Sequence, residues 1–598
     1  MLIQTLHFIC GILFCLIVPS TIGKSLFKLE NTFLNHTFGW CVLSLFLYVA
    51  LLFGIASQTF ITTLCYGLSL VAVFINKPLL SLKKFNPINF YKELTALEKL
   101  LLLSLSLCVM IRLLRVAIPS LNWDSINNHF LLLSERLVSG DLSPLMHVPS
   151  DKRVPQFAQC YKLWTFALDS TGRLLILNQA FILYWSAFEA FKLMHSKINR
   201  TQIFLFLGII FSITDIAVHT FNAGDEAFLA LCLVAILSVF KLDKTFKNAC
   251  LFAFLCAFFL STKLTALFWL PYFGITALVI YRNLKLKIIL PLCVLVVVTI
   301  VGYSREYLIY GMVYPFTRWT NLLEFEPTGV LFQSSFISEQ RELLGISLDH
   351  NNQTIGSSWL AKFLGNFKTL LFIGIGPFLF WGLLACFQRK NFLSFEQVKV
   401  ILLPLSALLI SFGMWSFTEP ALYRYHIPSW IVLTALFAGL FLMNENKVWK
   451  KFITTSLILL LLFTSSLEFK VHILRFKSGF FLSSKDFYTQ HAPEGKLIEL
   501  IHQNVPSNEN LFYIGNSCGL VKRPGTWFAQ IGNEVGWREV DQLKAFLDHL
   551  GIRFWAVSHQ TSRIDPIYKA LTSYLIQHHQ LKVYAENEQG KIYTFVKN

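Results

Sequence analysis

LLLLSLSLCVMIRLLRVAIP, from Leu100 to Pro119, decides the fold. Arg112 and Arg115 are its only charged residues. Coiled as a helix, a run of this length crosses a hydrocarbon core of about 30 Å. Comparable apolar runs lie on either side of it, at Phe38–Ala56, Ile203–Phe221, Ile288–Tyr303, Leu370–Phe387 and Phe452–Phe469. The first run, Leu2–Ser20, lacks a basic leader and a small-residue cleavage site, and further spans follow it, so it reads as a span and not as a secretory signal. Counted by window length, the chain is expected to hold about 14 spans.

Composition supports a membrane protein. The 598 residues are 55% hydrophobic and 14% charged, with 58 Phe. Mean hydropathy is +0.57. Soluble domains are typically about 25% charged. The net charge of +17 could suggest nucleic acid, but no basic patch is interleaved with exposed aromatics. The basic residues sit in short loops, as expected of residues marking the inner side of a membrane. Most of the twelve Cys fall inside apolar runs and show no CxxC or metal-ligand spacing, which reads as buried small hydrophobes.

Orientation follows from those loops. Lys77–Lys92, Lys192–Arg200, Lys241–Lys247, Arg282–Lys287, Arg389–Lys399 and Lys447–Lys451 are placed inside. The outer segments are then Ser120–Gly172, Asn222–Glu226, the turn near Ser261–Lys263, Ser304–Lys362, Thr418–His426 and everything after about Phe469. They hold nearly all the unusual polar residues. Arg112 and Arg115, near the outer end of their span, are expected to snorkel or to line a cavity.

From about Lys470 the chain changes character. Strand-like runs at Leu511–Ile514, Phe554–Val557, Leu581–Ala585 and Ile592–Val596 alternate with helix-like runs at Lys496–Gln503, Val540–Leu550 and Pro566–Gln577. This predicts a small α/β domain without a phosphate loop or a nucleophile elbow. The fold class is therefore an all-α polytopic membrane body, residues 1–469, followed by an extracytoplasmic α/β domain, residues 470–598.

Five outer stretches could carry chemistry. Asn122–Trp123–Asp124–Ser125–Ile126–Asn127–Asn128–His129 opens a helix expected over Ser125–Ser139, so Asp124 reads either as a helix cap or as a reactive carboxylate. Gly224–Asp225–Glu226 is a tight acidic turn preceded by Asp215, His219 and Asn222. It is a polar loop or the edge of a polar cavity. Lys263, after Ser261–Thr262, either snorkels to the interface or binds an anionic headgroup. Arg424 stands between two Tyr in the turn that runs from Glu419 through Pro428. It suits phosphate recognition or anchors an aromatic belt. Tyr314–Pro315, with Arg318 following, reads first as an ordinary turn.

A lipid-linked phosphosugar needs an apolar body for its tail and a cation for its phosphate, and its acceptor needs a carboxylate base. Here the pattern resembles the GT-C superfamily of polyprenol-dependent glycosyltransferases, in particular its bacterial protein-mannosyltransferase-like branch. Trp123, Asp124 and His129 resemble that family's Trp-Asp-x-x-x-Tyr-His stretch, with Asn128 where Tyr is usual. Asp225–Glu226 resembles its acidic loop and Ser261–Lys263 its small-residue-Lys turn. Tyr314–Pro315 resembles its Gly-Asn-Pro-x-Tyr-Pro element, with Met312 replacing a polar residue. Tyr423–Arg424–Tyr425–His426–Ile427–Pro428 resembles its Arg-Tyr-x-x-Pro turn.

The resemblance implies an enzyme of a bacterial inner membrane, with its C-terminal domain in the periplasm. It would move a sugar from a polyprenyl-phosphate donor to a lipid, protein or glycan acceptor. In it, Asp124 would be the base, with Asp225 and Glu226 orienting acceptor or sugar. Lys263 and Arg424 would bind the donor phosphate, and His129, Tyr314, Arg318, Glu419 and His426 would complete the substrate site. It leaves room for a divalent ion, but no metal site, other cofactor or nucleic-acid partner is predicted. A transporter of lipid-linked saccharides, or a non-catalytic scaffold, is the competing expectation. A transporter would show paired broken spans in two related halves with a midplane site, and none is visible here.

Overall fold

The computed structural model describes residues 2–76, 91–116, 118–119, 125–142, 156–194, 198–212, 224–263, 281–310, 447–479, 484–515, 517–523, 525–528, 550–559, 566–578 and 580–596, with scattered positions between 266 and 277 and between 428 and 442. The span expected at Leu370–Phe387 lies outside them, as do most of the helix expected at Val540–Leu550 and the end of Ile203–Phe221.

The described residues form two compact units. In the first, α1 (Leu2–Phe27) and α2 (Thr32–Leu52) make a tight hairpin. Asn31 caps α2, its side chain accepting from the Leu34 amide at 3.1 Å. Gly39 makes the close approach possible: a Cβ there would lie 1.8 Å from the Pro19 carbonyl oxygen. The hairpin is followed by α3 (Gln58–Asn76), α4 (Ala96–Val116), α6 (Gln156–Leu168), α7 (Arg173–Met194), α8 (Arg200–Ser212), α9 (Glu226–Phe240), α10 (Phe246–Leu260), α11 (Ile289–Tyr310) and α12 (Lys447–Gly479), with α5 reserved for the second unit.

Among the described residues, five segments are long and apolar enough to cross a membrane: Thr5–Phe27, Thr32–Leu52, Gln58–Ile75, Arg173–Leu193 and Lys450–Lys470. Arg200–Ser212, Glu226–Phe240, Phe246–Leu260 and Ile289–Ser304 are shorter apolar helices. In hydrocarbon, polar groups must be satisfied internally. Accordingly, Trp40 Nε1 donates to His36 Nε2 at 3.0 Å, Trp164 Nε1 to the Leu43 carbonyl at 3.1 Å and Tyr48 hydroxyl to the Val301 carbonyl at 3.0 Å.

One sequence expectation needs amending here. Arg112 is buried against another helix, not turned to an interface: its guanidinium donates to both Glu468 carboxylate oxygens at 3.2 Å, to Tyr184 hydroxyl at 2.9 Å and to the Phe211 carbonyl at 2.7 Å. The segment Ser120–Gly172 contains α6, whose residues 157–168 are all buried.

The second unit joins residues 125–142 to the chain from Ser484 onward. It contains a single π-helical turn, Ser125–Phe130, then α5 (Leu131–Ser139), α13 (Ser484–His491), α14 (Gly495–Asn504), β1 (Asn510–Ile514), α15 (Cys518–Val521), β2 (Thr526–Phe528), β3 (Ile552–Ser558), α16 (Pro566–Gln577), β4 (Leu581–Asn587) and β5 (Gly590–Phe595). The sheet order is β2-β1-β3-β5-β4. β1 runs parallel to β2 and β3, and β5 runs antiparallel to β3 and β4. Phe512, Ile514, Trp555 and Tyr593 of the sheet pack with Leu571 and Leu575 of α16. Trp555 Nε1 donates to Thr572 Oγ1 at 3.0 Å, satisfying the one polar atom of the largest core side chain. The strand-like runs and Pro566–Gln577 are where the sequence placed them; β2 is an added three-residue strand.

Candidate active site

The site is built at the head of α9. Asp225 occupies the position before the helix and Glu226 its first turn, where a helix N-terminus favours negative charge. Gly224 lets Glu226 fold back: a Cβ at Gly224 would lie 2.0 Å from Glu226 Oε2. The Gly224 carbonyl accepts from Gln179 Nε2 of α7 at 2.6 Å, which fixes the turn against its neighbour.

Each carboxylate has its own lysine. Glu226 Oε1 lies 2.7 Å from Lys263 Nζ. Lys263 follows the end of α10, where Thr262 Oγ1 donates to the Phe258 carbonyl at 2.7 Å and holds the turn. Asp225 is paired with Lys162, which projects from α6 and is 1% exposed. Lysine is almost never fully buried unless paired, and here two carboxylates balance two ammonium groups. The frame around them is aromatic. Tyr161 stacks on Phe228 with centroids 4.6 Å apart, and Phe157 stacks on Phe258 at the same distance. Asn178 Nδ2 donates to Tyr161 hydroxyl at 3.2 Å.

Lys162 and Gln179 were not among the sequence candidates. The only signal for Lys162 is a charge in the apolar run Phe157–Leu168, whose burial the sequence does not declare. Nothing local in the sequence marks Gln179. The Lys263 side chain retains 19% exposure, so of the two lysines it is the one that can be reached.

The second candidate stretch lies in the other unit. Asp124 is outside the described residues; the chain just after it, Ser125–Phe130, is the π-helical turn. Such turns are rare and often mark functional positions. His129 is half-buried on it. The turn rests on α15: a Cβ at Gly519 would lie 1.9 Å from the Ile126 carbonyl oxygen. Gly519 is therefore a contact point between the Asp124 stretch and the C-terminal α/β domain. Tyr314, Arg318, Glu419, Arg424 and His426 lie outside the described residues. Among the described residues, no three His, Cys, Asp or Glu side chains converge as a metal site would require.

The fold of this chain is similar to that of solved structures. The likeness is to ArnT from Cupriavidus metallidurans in its apo crystal structure: TM-score 0.50, 13% identity, covering 83% of this chain and 97% of that one. ArnT bound to undecaprenyl phosphate gives TM-score 0.48 at 13% identity, covering 83% and 98%. An oligosaccharyltransferase from Archaeoglobus fulgidus, tethered to an acceptor peptide, gives 0.38 at 10% identity, covering 83% and 74%. By sequence, the chain matches no family model and no curated protein.

Proposed function

We propose that this protein is a membrane glycosyltransferase that moves a sugar from a polyprenyl-phosphate-linked donor to an acceptor hydroxyl or amide at the periplasmic face of a bacterial inner membrane. The observation that carries the reading is the head of α9, where a partly exposed lysine is held by a carboxylate inside an apolar helical body. The body supplies a solvent for the polyprenyl tail. Lys263 supplies a cation for the phosphate. ArnT, whose fold this chain shares, is a protein that binds undecaprenyl phosphate, a ligand of the same chemistry.

In this reading Asp124 takes the proton from the acceptor as the acceptor attacks the anomeric carbon. The bond from that carbon to the phosphate oxygen breaks, and the polyprenyl phosphate leaves with the electron pair. Attack from the face opposite the phosphate inverts the anomeric centre. Lys263 stabilises the charge that develops on the leaving phosphate. Arg424 assists it there. Lys162 holds Asp225 in place at the edge of the site.

Donor recognition can be tested without knowing the sugar. Native mass spectrometry of the full-length protein in detergent should show undecaprenyl phosphate bound, with undecaprenol failing to compete. Lys263→Gln should weaken that binding by about tenfold or more, the scale of one hydrogen bond to a charged group. Unchanged binding by the variant, or no binding by the wild type, would defeat the proposal.

A further inference from the structure

The second unit holds a cavity that belongs to neither candidate stretch. It is about 460 Å³ in volume and is lined by His502, Gln503, Asn504, Val505, Pro506, Ser507, Lys522 and Arg523. Three of these are basic types and none is a carboxylate. The Glu509 charge acts on Arg523, and that carboxylate is engaged by Arg553 Nη1 at 2.6 Å.

Arg523 is 6% exposed. Its Nη2 donates to the Pro506 carbonyl, which helps close the end of α14. That contact leaves most of the guanidinium: among the described residues, its Nε and Nη1 have no hydrogen-bond partner. A buried donor without an acceptor costs about 1–3 kcal/mol, and more when charged, so it calls for an explanation. Burial pushes the Arg523 pKa below its usual value, the direction that a bound anion would reverse. The neighbouring Lys522 has a left-handed backbone, φ 42° and ψ 49°. A long side chain rarely adopts that conformation, and strain of this kind gathers at functional positions.

We propose that this cavity is a binding site for a sugar phosphate, an oxyanion carried by a polyol. Arg523 takes the oxyanion in the forked geometry that guanidinium offers, with Lys522 beside it. Gln503, Asn504 and Ser507 supply amide and hydroxyl groups for sugar hydroxyls, and Pro506 and Val505 an apolar surface for the ring. The site is in the α/β domain and stands independently of the transfer reading.

The test is isothermal titration of the full-length protein, in phosphatidylcholine nanodiscs, with glucose 1-phosphate and with glucose. Glucose 1-phosphate should bind saturably at millimolar concentration or below, and glucose should not. Arg523→Gln should weaken binding by about tenfold. Lys522→Asn tolerates the left-handed backbone, so it keeps the fold and should weaken binding several-fold. Lys496→Gln, on an exposed side chain paired with Glu588, should bind as the wild type does. Wild-type protein that fails to bind, or Lys522→Asn and Arg523→Gln proteins that bind normally, would overturn the proposal. Repeating the titration in phosphatidylglycerol nanodiscs separates the sources. Loss of glucose 1-phosphate binding there would assign the site to a lipid headgroup and overturn the sugar-phosphate reading.

Discussion

Arg112 and Lys263 are both cations set among apolar helices and paired with a glutamate, yet they are built for different tasks. Arg112 sits inside α4, and its guanidinium reaches acceptors on α7, α8 and α12. Only 3% of its side chain is exposed. Lys263 sits on a turn, and its side chain keeps 19% exposure. A planar fork that reaches three other helices is a lock. A compact ammonium on a flexible stem, partly open, suits exchange of its carboxylate for an incoming phosphate. The comparison teaches that a charge inside a membrane protein is read from its surroundings and not from its presence.

The lock should be the more costly to break. Glu468→Gln leaves the buried Arg112 charge unmatched and Arg112→Met leaves the half-buried Glu468 so; removing one partner of a buried pair typically costs about 3–5 kcal/mol, the upper bound for Arg112→Met. Thermal unfolding of the detergent-solubilised protein should fall sharply for each, and the double variant Arg112→Met/Glu468→Met should recover much of the loss. Single variants with wild-type stability would erase the distinction.

Next in size is Gly519→Ala. Its Cβ has no room beside the Ile126 carbonyl, so the stretch after Asp124 must shift. Misplacement by about 1 Å can cost on the order of a hundredfold in rate. Sugar transfer should drop by that order while undecaprenyl phosphate binding holds. Loss of both together would mean that the substitution unfolds the domain.

Lys263→Gln sharpens the comparison from the other side. Gln keeps a donor for Glu226, so the unfolding temperature should stay near the wild-type value while donor binding falls by about tenfold. A large loss of stability would make Lys263 a second lock.

The smallest effect is expected at Tyr513. Its hydroxyl donates to buried Glu494 at 2.6 Å. Burial first, and the nearby Glu494 charge second, push its pKa well above the usual value of about 10. A pKa raised on folding gives stability that is complete below the unfolded value and is lost as pH rises past it. Domain stability, followed by thermal unfolding between pH 8 and 11, should therefore decline from about pH 10 upward. Tyr513→Phe should flatten that decline; an unchanged alkaline limb would place its origin elsewhere.

Much of the fold was legible because periodicity is local. Pro566–Gln577 and the four strand runs announce themselves by apolar spacing and flanking turns. β2 did not, because Thr526–Phe528 is too short to show a period and gains its identity only by pairing with Leu511–Tyr513. At the site, Asp225, Glu226 and Lys263 stood out as polar residues in turns between apolar runs. Lys162 stayed hidden because its meaning depends on α6 being buried beside α9's carboxylates, a fact of three dimensions. Arg112 was visible as an anomaly, but Glu468, its partner, lies on the last long helix, and no local pattern links the two.

The contact between Gly519 and Ile126 also bears on how the chain is made. The π-helical turn is synthesised early, and the glycine it rests on is synthesised near the end. During translation the segment after Asp124 must wait without its support until almost the whole polypeptide has left the ribosome. Only a complete chain can finish that unit. A protein truncated before α15 would carry its lysine–carboxylate pairs and still leave the early segment unbraced at Ile126.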